Sequence, residues 1–197
     1  MVRLGSEIFA ENPPSWLRTK RLGLLCNQAS VNRSYEHVVD TIQCLGGSLI
    51  YLFSPQHGFY AEKQANMIES GDRLDPSSRI PVISLYSDMR QPALEILDSI
   101  DVLMVDLQDV GTRVYTYTTT IGLCMEAAAR AGVKVVILDR PNPINGEQVE
   151  GNLLDKDYRS FVGRYPVPMR HGLTVGEFAR FIMVVSKLDC ELEVVPM

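Results

Sequence analysis

Residues 101–117 read DVLMVDLQDVGTRVYTY. The opening run, Asp101–Val105, is apolar almost without interruption. A run that does not alternate polar with apolar is what a strand shows when both faces of its sheet are covered. It leads into a polar, turn-forming cluster, Asp106-Leu107-Gln108-Asp109, and then into Gly111 and Arg113. The same grammar recurs on both sides. Arg21–Cys26 leads into Asn27-Gln28, Ser48–Phe53 into Ser54-Pro55-Gln56-His57-Gly58, and Pro81–Tyr86 into Ser87-Asp88. Val133–Leu138 leads into Asp139-Arg140-Pro141-Asn142-Pro143, and Glu191–Val195 is a sixth run.

Between the runs lie helical periodicities. Tyr35–Leu45 places Val38, Val39, Ile42 and Leu45 on one face. Pro92–Leu97 is expected to be a short helix with proline in its first turn. Thr118–Ala131 carries Ile121, Met125, Ala128 and Ala129, and Gly132 stops it. Thr174–Lys187 opens with a Thr-x-x-Glu capping box, Thr174 to Glu177. Strand and helix alternate, so the expected fold is α/β: a doubly wound, mainly parallel, Rossmann-like sheet with helices on both faces. Ligands in such sheets bind beyond the carboxyl ends of the strands, and nearly all the unusual polar chemistry here follows a strand.

Hydrophobic residues are 46% and charged residues 22% of the 197, the proportions of a globular chain. The formal net charge of −5 gives no basic surface for phosphate, so no nucleic-acid partner is expected. No long apolar run interrupts the first twenty residues or any later part, so neither a signal peptide nor a membrane partner is expected, and a cytoplasmic location is. Cys26, Cys44, Cys124 and Cys190 are widely separated and read as buried free thiols. His37, His57 and His171 have no metal-ligand spacing. The loop Asn27-Gln28-Ala29-Ser30 stands where a glycine fingerprint would follow the first strand, which argues against dinucleotide binding.

Three strand-end clusters carry candidate chemistry. His57 can serve as acid, base or donor near neutral pH, and Glu62 lies in the same loop. Asp106 and Asp109 are three apart at a strand end, a spacing that would suit a turn aiming both into one crevice. Arg113 and Tyr115 follow, and such groups pair with and stack on sugars. Asp139, Arg140 and Asn142 sit in a loop that two prolines stiffen. Arg170 and His171 precede a capped helix start, where anions are favoured.

These strings, in this order and joined by Val149-Glu150-Gly151 and Pro168-Met169-Arg170-His171-Gly172-Leu173-Thr174, resemble the NamZ-type exo-β-N-acetylmuramidase family. The resemblance implies a hydrolase removing terminal N-acetylmuramic acid from peptidoglycan fragments, without metal or cofactor. It also implies a Rossmann-like N-terminal domain followed by a smaller C-terminal one, with residues 1–197 expected to be the first alone. Self-association through the uncovered edge at Glu191–Val195 is a further expectation. Glycoside hydrolysis uses two carboxyl groups. The family pattern reads Pro-Glu-His-Gly where this chain has Pro55-Gln56-His57-Gly58, and an amide cannot transfer a proton as a carboxyl does. Glu62 is therefore the expected substitute carboxylate, with Asp109, then Asp106, as its partner and His57 in support. Arg113, Arg140 and Arg170 are candidates for the lactyl carboxylate, where a guanidinium fork fits. Asn27, Gln28, Gln56, Tyr115, Asn142, Glu150 and His171 complete the expected substrate contacts. The rivals are a sugar-binding homologue that has lost catalysis, a hydrolase of another glycan or an amide, and, by fold alone, a nucleotide-dependent oxidoreductase.

Overall fold

The computed structural model describes residues 2–61, 71–87 and 89–197, so Glu62 lies outside the described residues. Its elements run α1 (Gly5–Glu11), β1 (Arg21–Cys26), α2 (Val38–Cys44), β2 (Ser48–Ser54), β3 (Arg73–Leu74), β4 (Pro81–Ser84), α3 (Leu94–Leu97), β5 (Val102–Asp106), α4 (Tyr117–Ala131), β6 (Lys134–Leu138), α5 (Val175–Ser186) and β7 (Leu192–Val195), with two short 3-10 turns. The sheet order is β3-β4-β2-β1-β5-β6-β7. Every pairing is parallel except that of β3 with β4. Without the short β3, this is the doubly wound order, reversing between β1 and β5.

The strand at the heart of the opening stretch shows why the run is continuous. Leu103 and Val105 join one core with Leu25, Phe53, Val135 and Ile137 under α4 and α5. Val102 and Met104 join the other, with Leu22, Leu24, Leu52 and Val136 and with α2 residues Val38, Val39 and Ile42. Successive side chains alternate faces, and both faces are covered, so positions 102–105 are all apolar.

Several expectations are corrected. The helix read from Tyr35 begins at Val38, because Tyr35 takes a left-handed φ of 62° and His37 is the cap, its Nδ1 accepting from Val39 N–H at 3.3 Å. Pro92 does not sit in the first turn of α3, which Ala93 caps. Cys44 is exposed, unlike the other three cysteines. α1 and the two-residue β3 were not expected. Gly5 at the start of α1 donates to the Asp139 carbonyl at 2.9 Å, and a Cβ there would lie 2.3 Å from the Asp139 nitrogen. No helix among the described residues is long and apolar enough to cross a membrane.

Candidate active site

The parallel strands deliver their following loops to one edge. A cleft of about 370 Å³ opens there, lined by Gln56 and His57 after β2, Tyr86 after β4, Val114, Tyr115 and Thr116 after β5, and Val162. The β2 loop is tightly bent: His57 holds a φ of 77° and Gly58 one of 83°. A left-handed conformation is costly at a residue with a Cβ and tends to persist where function needs it. Gln56 is only 8% exposed, and its Oε1 accepts from the Thr116 hydroxyl at 2.8 Å.

The same loop is anchored at its far end. The Tyr60 hydroxyl donates to Asp75, which also accepts from the Ser77 and Ser78 hydroxyls and from Ser78 N–H. Burial pushes the Asp75 carboxyl up, but these donors outweigh it and hold it well below the usual carboxylate range. Burial, with the Asp75 charge beside it, pushes the Tyr60 phenol up to about 12.

Asp106 does not face the cleft. It is fully buried, and its carboxylate takes the Nε and Nη2 groups of Arg140, the latter at 3.0 Å. Arg140 also donates to the Val31 carbonyl at 3.0 Å. A buried pair of this kind holds its partners because either ion alone would be stranded away from water. Asp106, expected as a catalytic partner, and Arg140, expected as a lactyl-carboxylate fork, are thus paired with each other and lie outside this cleft. Asn27 is buried beside them and donates to the Tyr117 hydroxyl at 2.7 Å. Burial, then the neighbouring Tyr115, pushes the Tyr117 phenol well above its ordinary value. Asn27, Ser30, Asp106 and Arg140 are all buried at the strand ends near the reversal of strand order.

Asp109 and His171 form a second buried group. Asp109 Oδ2 accepts from Gly111 N–H at 2.7 Å and lies 3.3 Å from His171 Nε2. His171 Nδ1 accepts from Leu173 N–H at 3.1 Å. Both residues are 4% exposed, and neither lines the cleft. Asn142 bridges Leu173 O and Ile144 N–H, and its Oδ1 lies 2.3 Å from where a Gly111 Cβ would be. The Gly111 φ of 81° and this close approach admit only glycine. Asp109, Asn142 and His171 therefore hold the segment that carries Tyr115 and Thr116, and none of the three lines this cleft.

The remaining arginines are also engaged. Arg113 Nη1 donates to the carbonyls of Asn152 and Val167, at 2.8 and 2.9 Å. Arg170 pairs with Glu150 at 3.0 Å and donates to the Ile144 carbonyl. These contacts tie the loop of residues 144–170 across the strand ends. Gln28 is exposed and lines a separate hollow of about 220 Å³ with His37, Phe59, Tyr60 and Asp75. Of the residues singled out in the sequence, Gln56, His57 and Tyr115 meet in the cleft. Thr116, Tyr86, Val114 and Val162 were missed. Tyr86 lies just past the end of β4, where the fold rule alone would have found it. No cluster of potential metal ligands occurs among the described residues.

Comparison with known proteins agrees with this architecture. Residues 22–197 match the family described as exo-β-N-acetylmuramidase NamZ, N-terminal. The chain is 41% identical over 197 residues to peptidoglycan β-N-acetylmuramidase NamZ of Bacillus subtilis (strain 168), covering 100% of this chain and 47% of that protein. Two DUF1343 family proteins of Bacteroides fragilis NCTC 9343 have the same fold. One superposes with a TM-score of 0.88 at 37% identity, over 98% of this chain and 49% of its own. The other gives 0.82 at 33% identity, over 98% and 51%. The chain spans about half the length of these relatives. It belongs to the NamZ exo-β-N-acetylmuramidase family, whose N-terminal part it matches from Leu22 to Met197.

Proposed function

We propose that the protein is a glycoside hydrolase that removes terminal N-acetylmuramic acid from peptidoglycan fragments, and that the cleft around Gln56, His57 and Tyr115 receives that sugar. The carrying observation is the cleft itself: polar and aromatic groups from three strand-end loops converge in a family member 41% identical to a curated β-N-acetylmuramidase. Tyr86 and Tyr115 offer flat apolar faces to a pyranose ring, and Gln56 and His57 offer hydrogen bonds to its substituents. Glu62 stays the proposed carboxyl group, because it follows His57 by five residues and position 56 is an amide. His57 supports it, and Asp109 acts by holding the β5 loop.

One observation favours a second reading. An amide at position 56 suits a homologue that binds the sugar and turns it over poorly. Substitution Glu62→Gln separates the two. If Glu62 is the working acid or base, release of N-acetylmuramic acid from a chromogenic glycoside falls by at least about a hundredfold, the scale of proton-transfer catalysis. Unchanged release would remove Glu62 from the mechanism. Sugar binding with no release from either form would establish the binding homologue.

A further inference from the structure

Thr116 stands at the N-cap of α4, where a threonine hydroxyl ordinarily accepts from a backbone N–H two or three residues on. Here it makes no such bond, and the residue sits at φ −78°, ψ −8°, in the helical region. Its hydroxyl donates instead to Gln56 Oε1, 2.8 Å away and 60 residues distant in sequence. Thr116 is 9% exposed and Gln56 8%, yet both line the cleft. The Gln56 amide nitrogen has no hydrogen-bond partner among the described residues. A helix start has thus given up its cap to fix one end of a cleft side chain.

We propose that Thr116 is the positioning residue for side chain 56: it holds the oxygen end against the start of α4 and turns the other end toward the ligand. The role rests on the cleft being the sugar site. In this chain the end presented is an amide N–H donor. With a carboxyl at that position, the same hydroxyl would bond the charged oxygen and favour ionisation, as would the uncapped helix N-terminus. The other groups facing the position are His57 on its own loop, Tyr86 after β4 with the Arg90 guanidinium stacked 3.7 Å from its ring centre, and Tyr115 after β5. Thr116 acts through residue 56, so the substitution should alter the chemistry of that side chain rather than merely loosen the fold.

The test uses the full-length Gln56→Glu protein and follows the introduced carboxyl by carbon-13 NMR through a pH titration. Adding Thr116→Val raises its pKa by about one unit, the worth of a hydrogen bond to a charged group. Thr116→Ala should do the same, and Thr116→Ser, which keeps the donor, should restore the original value. The acidic limb of sugar release moves up with the pKa. A pKa that is the same with threonine, valine and alanine at position 116 would overturn the proposal. A shift without sugar release would support the role of Thr116 while counting against the hydrolase reading; release without a shift would do the reverse.

Discussion

Asp106 and Arg140 are paired where neither can reach water. Removing one partner strands the other ion, a loss of about 3–5 kcal/mol. Arg140→Met should therefore lower unfolding free energy by that amount, and Asp106→Asn by a similar amount, as read from denaturant midpoints at constant slope. A change below about 1 kcal/mol in both would show that the pair is hydrated and loosely held. This residue-scale fact was not legible in the sequence. Asp106 and Asp109 look equivalent there, two acids at one strand end. What separates them is the partner each meets: Arg140 from the loop after β6 for one, Gly111 N–H and His171 for the other. Such partners are set by strand order, which sequence spacing does not carry. The partners of the arginines were illegible for the same reason. A guanidinium reads as a ligand fork until the carbonyls of Asn152, Val167 and Ile144 are found within its reach.

At the scale of elements the sequence was more informative, because local chemistry decides element type. The box at the start of α5 is present as expected. Thr174 Oγ accepts from Glu177 N–H at 3.2 Å, and Glu177 returns the bond to Thr174 N–H at 2.9 Å. The Thr174 hydroxyl also donates to Asp139 Oδ2 at 2.9 Å, so the cap is joined to the end of β6. Thr174→Ala should cost about 1–2 kcal/mol, the upper part of the capping range, measured by thermal or denaturant unfolding. Thr174→Ser should recover most of it; a loss that serine does not recover would point to the methyl group instead. The elements that escaped notice are those with little local signal. β3 has two residues, too few to show a period, and α1 is held by docking its glycine onto the end of β6 rather than by a broad apolar face. The start of α4 was legible as a helix boundary, but the diversion of its cap to Gln56 was not, since it joins residues 60 apart.

Across the whole molecule, the strand order brings the loops after β2, β4 and β5 to one edge, and that much followed from alternation of strand and helix. The contents of the edge divide into two parts. Near the reversal between β1 and β5, Asn27, Ser30, Asp106 and Arg140 are buried and bonded to one another or to neighbouring backbone. Farther along, the β2 loop bends through two consecutive left-handed residues and opens the cleft of Gln56, His57 and Tyr115. Rossmann-like order here serves to position loops, and the site is specified by what those loops carry. On the proposed reading, function turns on position 56, the buried cleft group whose amide lacks the proton-transfer chemistry of a carboxyl. The direct measurement is release of N-acetylmuramic acid from a muramic acid glycoside by the full-length protein and by its Gln56→Glu variant. The expected result is slow release by the natural sequence and at least about tenfold faster release by the variant, within the range general acid–base groups supply. No release by either form, together with no detectable binding of the sugar, would contradict the assignment of this cleft to muramic acid.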